Sequence, residues 1–132
     1  TGNMEGAAFN MISSFDHVQV SIEPGRLDEA LAFYVDFLGF ARVPKPADMR
    51  QSGAWLTSGT VNLHLGEDIN PGVAFTPSPH AHPAMRVDNF DALFAQAGTK
   101  GFKARIDKGP AGFKRGSIWD PFGNRIELMQ KL

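Results

Sequence analysis

The sequence predicts an α+β fold of two tandem βαβββ modules, with mostly antiparallel mixed sheets and the helices outside. Three observations lead to this prediction. The chain repeats itself, each repeat contains one amphipathic helical pattern followed by short alternating strands, and a Pro-rich stretch separates the repeats. At 132 residues the chain can bury such a core without disulfides.

The repeat is visible at both ends of the unit. The segment 27–43, LDEALAFYVDFLGFARV, is similar to 90–106, FDALFAQAGTKGFKARI. Further along, Trp55 aligns with Trp119. These matches predict one domain made of two successive modules of like structure.

The repeat also sets the predicted boundaries. A single domain covers 13–132, with module one at 13–68, a Pro-rich linker at 69–81 and module two at 82–132. The small, polar stretch before it, residues 1–12, is expected to be disordered or to derive from an expression vector.

In module one, alternation predicts a first strand at about 15–22. A helix follows, with Asp28 as its candidate N-cap and Gly39 as its stop. Three shorter strands complete the module, at about 40–44, 52–57 and 60–66.

Module two repeats this order, starting with a strand at 82–87 and a helix between Asp91 and Gly101. The remaining strands are predicted at 102–107, 115–120 and 124–130. The Gly-rich, basic stretch 108–116 has the profile of a mobile loop that could close over a ligand.

Composition excludes several classes of function. The net charge is −1 and no apolar run approaches the roughly 20 residues of a membrane span, so no nucleic acid or membrane partner is expected. There are no cysteines, which excludes thiolate chemistry and is compatible with the cytoplasm, the predicted location.

Four chemically active side chains fall on one kind of strand face. In the first and last strands of each module the apolar residues alternate with His17, His64, His82 and Glu127. Three imidazoles and a carboxylate at repeat-equivalent places predict a divalent metal site suited to Fe, Ni, Zn, Co or Mn. Taken singly, each could instead be an ordinary hydrogen-bonded or solvated residue.

With these residues, the chain resembles the vicinal oxygen chelate superfamily of glyoxalases, bleomycin-resistance proteins and extradiol dioxygenases. The resemblance covers about 15–130 and rests on FDHVQVSI, DEALAFYVDFLGF, HPAMRVDNFDA and WDPFGNRIEL. It implies His17, His64, His82 and Glu127 as metal ligands, with Glu127 also as the catalytic base. It further implies cup-shaped sheets around the metal and a small substrate that chelates the metal through two adjacent oxygens. Members of this family usually form homodimers, which sometimes build each cup from both subunits.

The resemblance leaves the reaction open among three classes. A lyase or isomerase of glyoxalase type is the first, although His64 and Ser21 depart from the glutathione-using pattern. An extradiol-type non-haem iron dioxygenase is the second, and His17, His82 and Glu127 would supply its two-His-one-carboxylate iron triad. The resemblance also implies a further His and a Tyr near the metal, for which the chain offers only His80 and Tyr34. The third is a metal-free protein that sequesters a ligand, as bleomycin-resistance proteins do.

Five further residues are candidates for substrate contact: Gln19, Trp55, Arg86, Trp119 and Arg125. The two tryptophans could wall an aromatic pocket or simply pack the core. The two arginines could meet an anionic substrate or pair with a carboxylate.

Overall fold

The computed structural model describes residues 11–69 and 72–132 of the chain. Two four-stranded mixed sheets and two helices confirm the predicted α+β fold of tandem βαβββ modules. In chain order, the elements are β1 (Val18–Ile22), α1 (Leu27–Leu31, continued by a π-helical segment, Ala32–Phe37), β2 (Ala41–Val43), β3 (Ala54–Ser58), β4 (Val61–Glu67), β5 (Ala84–Arg86), α2 (Phe90–Lys100), β6 (Ala104–Asp107), β7 (Phe113–Trp119) and β8 (Arg125–Lys131).

The two sheets have the same topology. The strand orders are β1-β4-β3-β2 and β5-β8-β7-β6, with the first strand of each module parallel to the last and all other neighbours antiparallel. In the first sheet His64 lies between Gln19 and Trp55, and in the second Glu127 lies between Ala84 and Ser117. The repeat therefore places His64 and Glu127 at equivalent points.

One face of each sheet is covered by helices and forms the core. The apolar members of the alternating strands are nearly inaccessible, among them Val20, Ile22, Leu56, Leu63, Leu65, Ile118, Ile126 and Leu128. Fully burying each such side chain contributes roughly 1.5–3 kcal/mol, so the alternation fixes which face points inward. The opposite face, called here the open face, carries all four predicted metal ligands.

The helix starts differ from the prediction. The N-caps are Arg26 and Asn89, neither of which makes a side-chain capping bond. Asp28 and Asp91 instead lie within the first turns, where a carboxylate favours the positive end of the helix dipole. The predicted stop at Gly101 is confirmed, since this residue is left-handed with φ 79°.

The π-helical part of the first helix buries three aromatic side chains, Phe33, Tyr34 and Phe37. Its wider turn is marked by the hydrogen bond from Leu38 N to Phe33 O, 2.9 Å. Phe33 and Phe37 each lie 5.0 Å, centroid to centroid, from Phe102 of the second module. The two modules therefore share one core.

A buried carboxylate strengthens this join. Tyr34 donates a 2.7 Å hydrogen bond to Asp120, which also accepts bonds from the backbone of Phe122 and from Asn124. Asn124 in turn donates to the carbonyl of Ser21 at the end of β1. Burial raises the pKa of Tyr34 well above its usual value, so the hydroxyl remains a donor. The turn after β7 thus ties module two to module one.

Two further predictions meet the structure here. Strand β7 begins at Phe113, so the predicted mobile loop is shortened to about 108–112. The segment 1–12, expected to be disordered, lies mostly outside the described residues. The predicted linker at 69–81 includes residues 70 and 71, which also lie outside them. In the described part of the chain no helix is both long and apolar enough to cross a bilayer.

Candidate active site

The open face of the first sheet carries an aromatic stack. The ring of His64 lies between those of His17 and Trp55, with centroid separations of 3.8 and 4.4 Å and interplanar angles of 13° and 6°. His64 and Trp55 come from the neighbouring strands β4 and β3, and His17 immediately precedes β1 on the other side of β4, which explains why the three rings lie side by side. Together with Gln19 they line a cavity of about 600 Å³.

The two histidines of this stack differ in their surroundings. His17 contacts the exposed carboxylate of Asp16 through Nδ1 at 2.8 Å, which leaves Nε2 available. Burial lowers the pKa of His64, and repulsion from His17 acts in the same direction. His64 is therefore held in the neutral form that a metal ligand requires. We call His17 and His64 the first half-site.

The second half-site is His82 with Glu127, on the open face of the other sheet. The His82 Nε2 atom lies 3.0 Å from Glu127 Oε1, and His82 Nδ1 lies 2.7 Å from the backbone carbonyl of His80. A carbonyl oxygen only accepts, so Nδ1 must carry a proton. The contact between Nε2 and the carboxylate then requires a second proton in the pair, and a bound cation can replace that proton.

Arginines surround the carboxylate of Glu127. Arg125 Nη2 lies 3.4 Å from Oε1 and Arg115 Nη1 lies 3.9 Å from Oε2. Arg125 is itself held by a 2.8 Å bond from Nε to the hydroxyl of the fully buried Ser117. Only 7% of Glu127 is exposed, so the alternative interpretation of Glu127 as a solvated surface carboxylate is wrong.

The other predicted contact residues also lie on the open faces. Trp119 packs beneath Lys103 and Arg105, with their cationic groups 4.5 and 5.4 Å from its ring centroid. Arg86 stacks on the ring of Phe113 at 4.7 Å. Gln19 fills the space over Gly66, where an added Cβ would lie 2.4 Å from the Gln19 amide nitrogen.

The structure therefore gathers the four predicted ligands as two pairs, one on each sheet. Within residues 11–69 and 72–132 no group of three or more His, Asp or Glu side chains is arranged to hold a metal ion. One member of each pair nevertheless borders a common space: a cavity of about 950 Å³ along the outer edges of β1 and β5 is lined by His17 and His82.

Comparison with known proteins places the chain in a family. The sequence matches the profile of the Glyoxalase/Bleomycin resistance protein/Dioxygenase superfamily over residues 14–128. The chain belongs to this superfamily. A solved structure described as a glyoxalase family protein, from Bacillus anthracis, is 35% identical, with a TM-score of 0.83 over 93% of this chain and 98% of that chain.

Solved structures of lower identity share the fold. A lactoylglutathione lyase from Agrobacterium tumefaciens is 20% identical with a TM-score of 0.65, covering 92% of this chain and 96% of that chain. An antibiotic-binding protein from Streptomyces sp. is 24% identical with a TM-score of 0.64, covering 92% and 100%. A local match to tripeptidyl-peptidase 1 of Canis lupus familiaris, 45% identical over 58 residues, takes in 43% of this chain and spans only 10% of that protein.

Two residues of the second open face are absent from the candidates that the sequence analysis selected. Arg105 and Arg115 lie on the open face, beside Trp119 and Glu127 respectively. Arg115 falls in the overlap between the predicted strand 115–120 and the predicted loop 108–116, and only the loop was weighed for function. Applying the strand alternation from Arg115 to Ser117 would have placed Arg115 on the open face.

Proposed function

We propose that the protein is a divalent-metal-dependent, glyoxalase-like enzyme of lyase or isomerase type. Its small substrate would offer two adjacent oxygens, and its active site would be shared between two copies of the chain. One copy supplies His17 and His64, and the other supplies His82 and Glu127. The observation that carries the proposal is the division of four suitable donors into two half-sites on equivalent open faces.

The second half-site fits a metal in its present geometry. Two atoms bound to one ion at metal–ligand lengths of about 2.0–2.2 Å lie roughly 3.0–3.4 Å apart. The 3.0 Å between His82 Nε2 and Glu127 Oε1 matches this spacing. The bond from Nδ1 to the His80 carbonyl also suits a ligand, because metal-binding imidazoles usually donate their other N–H to an oxygen.

The first half-site fits in chemistry but needs a change of rotamer. Nitrogen lone pairs lie in the ring plane, so the stacked rings of His17 and His64, 3.8 Å apart and nearly parallel, direct them side by side. Binding a common ion requires one ring to turn. His17 is the ring free to do so, since 39% of its side chain is exposed. The carboxylate of Asp16 then remains at Nδ1.

The chain's own groups divide the work of the proposed reaction. A bound divalent ion would supply Lewis acidity toward the substrate oxygens. Glu127 would take or return a proton at a neighbouring carbon, and its burial keeps water from competing for that carboxylate. Arg125, fixed by Ser117, would hold the Glu127 carboxylate in position through its contact with Oε1. Trp55 and Gln19 would wall the opposite side.

The exposed edge between the modules supports assembly from two copies. Strands β1 and β5 are edge strands of their sheets, and an uncovered edge can take a partner. Apolar side chains line the cavity along these edges, with exposures of 90% for Phe15, 36% for Val18 and 40% for Val61. In a two-fold dimer, module one of each copy can face module two of the other, which completes two equivalent sites.

A metal-free, ligand-sequestering protein is the second candidate. Its support is the stack of His17, His64 and Trp55, which presents flat aromatic surface rather than converging lone pairs. The dioxygenase alternative has less support. Its implied tyrosine near the metal has no candidate on the open faces, since Tyr34, the only tyrosine, is buried in the core against Asp120.

Metal analysis of purified protein, loaded in turn with Zn, Ni, Co, Mn and Fe(II), tests the proposal. We expect about one ion per chain, and at least about tenfold weaker binding in Glu127→Ala and in His82→Ala. Glu29→Ala is the matched control, because Glu29 is an exposed carboxylate far from the open faces. Turnover of 2-oxoaldehydes with thiols would support the lyase reading, whereas oxygen uptake with catechols and Fe(II) would support the dioxygenase. Unchanged metal content in both site variants would refute the proposal.

A further inference from the structure

We propose that the open face of the second sheet binds an oxyanion group of the substrate, a carboxylate or a phosphoryl group. The binding groups are the guanidiniums of Arg86, Arg105, Arg115 and Arg125, called here the arginine cluster. The inference rests on the proposed function, because it names the class of substrate that the proposed active site would take.

Strand register places the whole cluster on one face. Arg115 and Arg86 both lie opposite Met129 of β8, on either side of it, and Arg105 lies opposite Ser117. Arg125 lies two residues before Glu127 on the same strand and therefore shares its face. Four cationic side chains from four adjacent strands thus share the face of the second half-site, and two of them, Arg115 and Arg125, lie within 4 Å of Glu127.

The positive charge of this face is only partly balanced. Among the described residues, the carboxylates that pair with its four guanidiniums are Glu127 and Asp107, although the whole chain carries a net charge of −1. Hydrogen bonds from Arg105 lower the pKa of Asp107, and the charges of Arg115 and Arg125 act in the same direction. The local field therefore favours an additional anion.

Donors on the cluster are left unused. The Nε atom of Arg115 is buried and has no hydrogen-bond partner in the described part of the chain. Leaving such a donor unpaired is costly, and a ligand oxygen would remove the cost. Its Nη2 is committed to the carbonyl of Lys108 at 3.1 Å, which fixes the guanidinium plane. Arg86 packs against Phe113 rather than a described carboxylate.

The arrangement suits an oxyanion better than a point charge. A guanidinium presents two parallel N–H groups that match the oxygen spacing of a carboxylate or phosphate. Stacking on Phe113 and Trp119 holds Arg86 and Arg105 in place before binding, which lowers the entropy lost on binding. Because Arg86 and Arg125 line the same cavity as His82, an anionic group bound there would orient the rest of the substrate toward that histidine.

Anion titration of the metal-free protein tests the inference. The full chain, treated with a chelator and held at constant ionic strength, is titrated with methylphosphonate and separately with acetate. Emission of Trp119 is the readout in a Trp55→Phe background, because Trp119 lies under Lys103 and Arg105 and the chain has only two tryptophans. We expect saturable binding of at least one anion. The tighter of the two identifies the group as phosphoryl or carboxylate.

Single substitutions decide whether the arginine cluster is responsible. Arg115→Gln and Arg86→Gln should each weaken anion binding by about tenfold or more. Arg42→Gln on β2 of the first sheet is the matched control and should leave it unchanged. Arg86 is exposed, so its variant tests the cluster even if Arg115→Gln fails to fold. Absence of saturable binding, or equal affinity in the wild type and Arg86→Gln, would overturn the inference.

The same experiment separates this inference from the proposed function. Anion binding that survives in a protein which takes up no metal would refute the metalloenzyme and leave the arginine cluster standing. Normal metal binding without anion binding would do the reverse.

Discussion

The open faces of the two modules share one backbone frame and carry opposite chemistry. In the first sheet, β4 lies next to the edge strand β1 and carries His64, whose ring is stacked between those of His17 and Trp55. In the second sheet the equivalent strand, β8, carries Glu127 between the guanidiniums of Arg115 and Arg125. The repeat fixes where side chains can be presented, whereas residue identity decides what each face binds. One face offers neutral imidazoles and aromatic surface, and the other offers a carboxylate and positive charge.

The interior shows a similar asymmetry. Module one contributes a helix that turns π-helical and buries Tyr34, whereas module two contributes a regular helix and the buried acceptor Asp120. Each module therefore supplies half of the contact that joins them. Substituting Tyr34 and Asp120 in turn measures how much each module's side chain contributes to the free energy of unfolding.

The largest effect is expected at the tie between modules. Asp120→Ala should lower the free energy of unfolding by about 3 kcal/mol, because the Tyr34 hydroxyl and two backbone N–H groups lose their buried acceptor. Tyr34→Phe should cost only about 1–2 kcal/mol, since Asp120 keeps its other donors. Urea denaturation gives both values. Asp36→Ala, an exposed carboxylate on the same helix, is the control, and equal losses in all three variants would contradict the account.

A smaller difference is expected between two glycines, one in each sheet. An added Cβ at Gly116 would lie 2.7 Å from both the Arg105 carbonyl oxygen and the buried ring of Phe94, so Gly116→Ala should cost about 2 kcal/mol. At Gly66 the nearest group is the flexible end of Gln19, and Gly66→Ala should cost less than about 1 kcal/mol. Thermal unfolding distinguishes them. A greater loss in Gly66→Ala would show that the first open face is the more tightly packed.

The smallest effect concerns pH and the first half-site. Since folding lowers the pKa of His64, the unfolded chain binds the extra proton as pH falls below 6.5. The stability contributed by neutral His64 is therefore full above pH 6.5 and is lost as the pH falls through the folded pKa. Replacing His64 by Gln should flatten the decline in stability between about pH 7 and pH 5 by less than about 1 kcal/mol. A steeper decline in the variant would reverse the sign of the shift.

Most of the fold could be predicted because the repeat and the strand alternation are local patterns. The apolar sets in β1, β4 and β8 were assigned to the covered face, and the structure buries all of them there except Val18 and Val61, the first residues of β1 and β4. Helix starts were misplaced by up to two residues, since Asp28 and Asp91 serve the first turn rather than the cap. The π-helical turn has no sequence signature comparable with a glycine stop. It depends on packing against Phe102 from the other module.

The candidate site was predictable by residue but not by grouping. Alternation identified which side chains occupy the open faces, but pairing His17 with His64 and His82 with Glu127 depends on which strands are neighbours within each sheet. How the two pairs lie relative to each other depends in turn on long-range contacts such as the one between Tyr34 and Asp120, which no local pattern encodes. The role of the second copy therefore remains a proposal.

Mixing two defective variants tests the shared site most directly. His17→Ala and His82→Ala each spoil every site of their own homodimers, but a mixed dimer retains one site with all four donors. After unfolding and refolding a one-to-one mixture, we predict that roughly a quarter of the wild-type metal occupancy returns, since half the dimers are mixed and each has one intact site of two. A mixture of His82→Ala with Glu127→Ala should recover none. Failure of the first mixture to recover any metal, with dimers formed, would contradict a site built from both copies.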